Sequence, residues 1–328
     1  MHKFSDVRRK AHTKKREILI NQGFPDIFKN RRDRIRTCDL FVPNEALYQA
    51  EPHAVISLQI MLIYVSIIFS NCLVFFSSNF GKEHFMKSTV LITGASRGIG
   101  RAIATLFAKE GYQLVITCSK SEDTLHLLAD ELRSNYSADV LTSIGDIGDY
   151  QYVSLLFKEI SARFGGIDIL INNAGISYVG LLTDMSLEEW NQMINTNLTS
   201  VFSTCKHAIP YMLQKQTGKI INISSVWGNV GASCEVAYSA AKGGMNTFTK
   251  ALAKELAPSN IQVNAIACGC IDTQMNACFS EDEKAALADE IPAGRFGKPE
   301  EVATLVLDLA SKHSYLTGQI ITLDGGWT

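Results

Sequence analysis

The sequence predicts an α/β chain: a single doubly wound domain over residues 86–328, with a seven-stranded parallel sheet and helices on both faces. Three observations predict it. Short apolar runs alternate with longer amphipathic stretches, the signature of repeated strand–helix–strand units. The apolar runs are continuous rather than alternating, as strands covered on both faces require. The first run ends directly in a glycine-rich turn that opens a helical pattern.

The strands are expected at Thr89–Thr93, Leu114–Cys118, Val140–Ile144, Ile167–Ile171, Lys219–Ile223, Ile261–Ile266 and Gln319–Thr322. Between them, helical patterns occupy Arg101–Glu110, Ser121–Arg133, Tyr152–Phe164, Leu187–Lys215 and Ser239–Leu256. No internal repeat or low-complexity segment interrupts the alternation.

Composition narrows the function. The chain has 328 residues, 46% apolar and 20% charged, ordinary for a globular protein. A formal net charge of −2 gives a nucleic-acid partner no general electrostatic support. Eight cysteines lie scattered, with no C-x-x-C pair and no histidines at zinc spacing, so no metal site is expected. They read as small hydrophobes in a reducing cytosol, with Cys268 and Cys270 the closest pair.

Residues 1–85 differ from the rest. Basic clusters at Arg8–Lys10, Lys14–Arg16 and Arg31–Arg36 are followed by the uncharged apolar run Ala54–Phe76, long enough to span a bilayer. It is too long for a secretory signal and lacks a clear cleavage site. Taken at face value it is a membrane anchor. The stretch RRDRIRTCDLFVPNEALYQAEPH, however, resembles the peptide produced when a bacterial transfer-RNA gene is translated. The expectation is therefore a disordered extension or a mis-called start, with Met86 beginning the working protein.

The turn after the first strand reads Thr93-Gly94-Ala95-Ser96-Arg97-Gly98-Ile99-Gly100. Gly94 permits a tight turn, Gly98 lets backbone approach a pyrophosphate, and Gly100 allows close helix–strand packing. The helix N-terminus then favours the anion. At the end of the second strand, where an acid would hold the ribose hydroxyls of NADH, stand Ser119 and Lys120. With Arg97 in the glycine loop, the expected cofactor is NADPH rather than NADH. Glu122 and Asp123 would reverse this only if the turn were shorter. Tyr238 and Lys242 are four apart on a helical pattern, so they share one face. An adjacent ammonium, with a cationic nicotinamide, is expected to lower the phenol pKa; about three units would take roughly 4 kcal/mol.

The spacing G-x-x-x-G-x-G, Asp146-Ile147, Asn172-Asn173-Ala174-Gly175, Asn197-Leu198, Ser225, Tyr238-x-x-x-Lys242 and Asp324-Gly325-Gly326, in that order, resembles the short-chain dehydrogenase/reductase family over essentially all of 86–328. The resemblance implies a Rossmann-type nicotinamide-dependent reductase. It implies that Tyr238 protonates a carbonyl oxygen, Ser225 hydrogen-bonds that oxygen, Lys242 binds the nicotinamide ribose, and Asn197 positions Lys242 through a water-linked relay. It puts Asp146 and Ile147 at the adenine. It adds Ser96, Ile99, Asn173, Ala174, Gly175, Gly269, Ile271 and Thr273 to the cofactor contacts. It also implies a homotetramer joined through the long helices around 187–215 and 236–257. A reductase needs the cytoplasmic cofactor pool. The positive-inside rule would put 86–328 on the far side if Ala54–Phe76 were a true span, so a cytoplasmic enzyme is expected unless that anchor is genuine.

For the substrate, IPAGRFGKPEEVA (Ile291–Ala303) and TGQIITLDGG are similar to bacterial 3-oxoacyl-acyl-carrier-protein reductases, implying a carrier-attached or small-molecule ketone. Two departures stand out. Cys268-Gly269 replaces the usual Pro-Gly, and the two basic carrier-docking positions are Gln216 and Ser259, with Lys215 and Lys219 as possible substitutes. The segment Trp227–Tyr238 is similar to reductases of the 5-aminopentanone group on elongation factor P. There Glu235 would face a cationic amine and Trp227 would line the pocket. Against this, Glu235 can simply favour the helix N-terminus, and Trp227 can simply be packed. A non-catalytic cofactor-sensing protein and a membrane-tethered scaffold are further alternatives.

Overall fold

The computed structural model describes residues 88–276 and 280–328. The basic clusters, the apolar run Ala54–Phe76 and the expected start at Met86 lie outside the described residues. Among the described residues, no helix is long and apolar enough to cross a membrane.

Seven parallel strands form one sheet: β1 Thr89–Ile92, β2 Gln113–Cys118, β3 Val140–Ile144, β4 Ile169–Asn172, β5 Gly218–Ser225, β6 Ile261–Cys268 and β7 Ile320–Leu323. Their order is β3-β2-β1-β4-β5-β6-β7. Chain direction across the sheet reverses between β1 and β4, and there the strand ends open a crevice where such sheets bind ligands. The α/β, doubly wound class expected from the sequence is the observed one.

The helices are α1 Gly98–Lys109, α2 Glu122–Tyr136, α3 Tyr150–Phe164, α4 Leu187–Ile194, α5 Ser200–Lys215, α6 Trp227–Val230, α7 Val236–Leu256, α8 Glu281–Glu290 and α9 Pro299–Ser311. One face of the sheet packs on α1, α2 and α9 through Ile103, Phe107, Leu125, Leu128, Val302 and Val306. The other packs on α3, α5 and α7 through Val153, Phe157, Val201, Met245 and Leu256. Successive residues of β1 serve opposite faces: Val90 and Ile92 join the first cluster and Leu91 the second. That is why the strands read as unbroken apolar runs. Burying one such side chain contributes about 2 kcal/mol.

The structure corrects one long element. Leu187–Lys215 is not a single α-helix: a π-helical turn, Asn195–Thr199, separates α4 from α5. Periodicity alone does not reveal it, because apolar spacing on either side stays close to 3.6. Strands β5 and β6 also run two residues beyond the expected ends, and those added residues carry the site.

Candidate active site

The glycine turn is shaped by crowding. Thr93 leaves β1, and its hydroxyl accepts the backbone N–H groups of Asn173 and Ala174, both at 3.0 Å. Asn173 Nδ2 donates to the carbonyls of Thr93 (2.9 Å) and Gly94 (3.0 Å). The loops after β1 and β4 are thereby stitched together at the crevice. Gly94 has φ +67°, and a Cβ there would stand 2.8 Å from the Ala174 Cα. A Cβ on Gly100 would stand 2.3 Å from the Gly94 carbonyl oxygen. These glycines admit nothing larger, so bare backbone faces the crevice. Arg97 occupies the N-cap position of α1 and makes no side-chain cap, leaving first-turn N–H groups for an anion. Thr273, after β6, reaches the same turn: a Cβ on Gly98 would lie 3.2 Å from its Cγ2.

Beside the turn, β2 ends at Cys118 and α2 begins at Glu122, so Ser119, Lys120 and Ser121 form the connection. Ser119 and Lys120 are exposed. Arg97 reaches this connection, donating from Nη2 to Ser121 Oγ at 3.4 Å and from Nη1 to Gln274 Oε1 at 2.8 Å. Glu122 and Asp123 lie in the first turn of α2, and Glu122 faces His126 at 3.5 Å. Asp146 accepts the Gly148 N–H at 2.8 Å, while Ile147 is buried in the core. The residues present therefore fit a nicotinamide dinucleotide: a turn crowded to the size of glycine, an uncapped helix N-terminus and an arginine reaching the β2–α2 connection.

The structure brings together the four residues singled out for chemistry. Ser225 is the last residue of β5 and pairs in register with Cys268 of β6. Its hydroxyl lies close enough to the Tyr238 phenol to act on that group's proton affinity, and it accepts the Trp227 N–H at 3.2 Å. One turn along α7, Lys242 is 3% exposed, with Nζ 5.6 Å from the Tyr238 ring centre and donating to the Ile223 carbonyl at 2.8 Å. Asn197, fully buried in the π turn, accepts the Ile176 N–H at 3.1 Å and donates to the carbonyls of Ile176 and Met193, both at 3.0 Å. A Cβ on Gly175 would stand 2.8 Å from Asn197 Oδ1 and 3.7 Å from Lys242 Nζ, so the two side chains flank that residue.

Among this chain's own groups, burial dominates the electrostatics of Tyr238 and Lys242. Burial pushes the Tyr238 phenol well above the usual phenol range, Cys268 and Glu235 add to the rise, and the Ser225 hydrogen bond opposes it. Burial pulls Lys242 down to about 8, against a smaller upward push from Cys268. Depth of burial, invisible in sequence, is the largest cause of both shifts. A neutral phenol at neutral pH is a proton donor, which suits the reducing direction.

Sequence reasoning missed the scaffold beneath these groups. Thr204 donates to Asn172 Oδ1 (2.7 Å), Asn172 Nδ2 donates to Asn222 Oδ1 (2.9 Å), and Asn222 Nδ2 donates to Thr249 Oγ1 (2.8 Å). This buried chain ties α5 and α7 to β4 and β5. Among the described residues, no buried side-chain nitrogen or oxygen lacks a partner.

Of the substrate candidates, Trp227 opens α6, and its side chain lies close enough to Glu235 to oppose the rise in that carboxyl's pKa. Glu235 precedes α7 but makes no side-chain cap, and burial raises its carboxyl pKa. Its place beside Trp227 and Tyr238 thus differs from simple capping. The proposed basic substitutes are engaged elsewhere. Lys215 pairs with Asp168 at 2.5 Å, and Lys219 donates to the His313 carbonyl. At the expected docking positions stand the uncharged Gln216 and Ser259, and Asn260 next to the latter donates to the Gln216 backbone carbonyl at 3.3 Å.

Comparison with known proteins agrees with this geometry. The family model described as short chain dehydrogenase matches residues 88–284. The chain is 40% identical over 243 residues to the uncharacterized oxidoreductase YmfI of Bacillus subtilis, covering 74% of this chain and 99% of that protein. It is 43% identical over 237 residues to the 3-oxoacyl-[acyl-carrier-protein] reductase FabG of Aquifex aeolicus, covering 72% and 95%. Among solved structures it is similar to YwfH, an NADPH dependent reductase involved in bacilysin biosynthesis. That likeness has a TM-score of 0.71 and 29% identity, over 74% of this chain and 98% of that one.

Proposed function

The chain belongs to the short-chain dehydrogenase family and is a nicotinamide-dependent oxidoreductase; on that premise we propose that it reduces a ketone to a secondary alcohol with NADPH, as a 3-oxoacyl-thioester reductase does. One observation carries the reading: the Ser225 hydroxyl at the end of β5 and the Tyr238 phenol of α7 lie side by side, with buried Lys242 one helical turn on.

The bound nicotinamide supplies the hydride. Tyr238 gives its phenolic proton to the ketone oxygen, and Ser225 donates a hydrogen bond to that oxygen as charge develops. Lys242 holds the ribose, and Asn197 fixes the geometry around it. Gly94, Ser96, Gly98, Ile99 and Gly100 cradle the pyrophosphate, with Thr273 from the far side. Asp146 and Ile147 bound the adenine, and Asn173, Ala174, Gly175, Gly269 and Ile271 complete the cradle. Arg97 and Ser119 take the 2′-phosphate. The working unit is residues 86–328, a cytoplasmic homotetramer joined through α5 and α7, which leave Phe202 and Val236 exposed.

The test is oxidation of NADPH by acetoacetyl thioester. No oxidation with any of a panel of ketones would sink the reading. Replacing Arg97 with Ala is expected to raise the KM for NADPH about tenfold while leaving that for NADH little changed, as loss of a charge-assisted contact predicts.

A second reading, reduction of the aminopentanone group on elongation factor P, is favoured by two observations. Glu235 is a half-buried carboxylate beside the reacting hydroxyls, and the expected docking positions for an acidic carrier are the uncharged Gln216 and Ser259, with Lys215 already paired to Asp168. Faster turnover of the modified protein than of acetoacetyl thioester would select it.

A further inference from the structure

The closing segment of the chain folds into a hook. Asp324 accepts the N–H groups of Gly326 (2.9 Å) and Thr328 (2.8 Å) and the Thr328 hydroxyl (3.0 Å). Gly325 and Gly326 turn the backbone with φ +69° and +87°. The Gly325 carbonyl accepts the Ala293 N–H at 3.1 Å, clamping the hook to the segment after α8. The bend delivers Trp327 onto Trp227, with ring centres 4.9 Å apart and planes tilted by 59°. This is a favourable aromatic arrangement, and both indoles stay only partly buried.

Trp227 is not an isolated surface ring. Its backbone N–H is held by the Ser225 hydroxyl at 3.2 Å, and its side chain lies beside Glu235, three residues before Tyr238. The Trp327 ring therefore lies one contact away from the groups that receive the ketone.

We propose that Trp327, delivered by the Asp324–Thr328 hook, forms the outer wall of the ketone pocket with Trp227 and determines which ketones are accepted. The inference rests on the ketone-reductase reading but not on either choice of substrate. Trp327 acts as a specificity-determining residue by bounding the space beyond the reacting carbonyl, so its loss should redistribute kcat/KM among ketones of different size.

The experiment compares wild type with Trp327→Ala and the milder Trp327→Phe. It measures kcat and KM for acetoacetyl thioester and for butanone, the Kd of NADPH by direct titration, and near-ultraviolet circular dichroism of the paired indoles. The ratio of kcat/KM between the two ketones is expected to shift about tenfold in Trp327→Ala, mostly through KM, and less in Trp327→Phe. The shift in NADPH Kd should be smaller than the shift in that ratio, and the indole-pair signal should be lost in both variants. If Trp327→Ala fails to fold, Trp327→Phe decides alone. An unchanged ratio in an active, folded variant would overturn this inference while leaving the reductase reading intact. Wild-type protein inactive on both ketones and on the rest of the panel would overturn both.

Discussion

The two walls of the crevice are built by opposite means. On the β1–α1 side the ligand-facing surface is backbone, crowded because side chains are missing: Gly94 lies against Ala174, and Gly100 against the Gly94 carbonyl. On the β5–α7 side it is made of polar side chains drawn out of water and paired, from Ser225 and Tyr238 down to Asn172, Asn222 and Thr249. The first wall should fail when it gains a methyl group, and the second when it loses a polar atom. On the proposed reading, the first positions a ligand, while the second moves a proton.

The largest expected effect lies on the second wall. Tyr238→Phe is expected to lower kcat by about 10³-fold while NADPH still binds, since only the proton donor is removed. Steady-state rates beside a cofactor titration check this, and near-normal turnover would erase the distinction drawn between the walls. Next comes the first wall. Gly100→Ala should cost about 3 kcal/mol of stability, because the added Cβ meets backbone that has no room to move; a denaturant titration measures it, and a loss under a few tenths would show the crowding to be soft. Asn222→Leu should cost about 2 kcal/mol, leaving the Asn172 amide and Thr249 hydroxyl without their buried partner.

The smallest effect sharpens the comparison by pH. Lys242 has its folded pKa lowered to about 8, so its charge is present below that value and lost as pH rises through it. The Tyr238 phenol is shifted up and stays neutral across this window. The kcat/KM for ketone reduction should therefore be flat near neutral pH and fall above about 8, from the lysine and not the tyrosine. A limb that persists in Tyr238→Phe residual activity would fit; a profile rising through pH 8 would not.

Much of the fold was legible in the sequence. Strands such as β1 and β4 announce themselves because they are buried on both faces, and the glycine turn does so because only glycine fits its positions. The four chemical residues were legible through spacing and resemblance. What was not legible depends on depth or on distant partners. The upward shift of Tyr238 comes from burial by surrounding elements. Thr204, Asn222 and Thr249 carry no local signal, since their partners lie far along the chain. Trp327 gave no hint of its contact with Trp227, a hundred residues earlier, because that contact exists only once the hook is folded.

The π-helical turn at Asn195–Thr199 bears on how this architecture can change. It holds one residue more than regular coiling needs. Excising that surplus would let ordinary rings close from α4 into α5 with little net rotation, because the wider turn already absorbs the extra residue. Met193 would keep its seat in the core, while Asn197 would lose the bulged backbone that sets its amide between Ile176 and Met193. A change of length that touches no reacting atom would thus alter the approach to the crevice at one point and leave its walls in place.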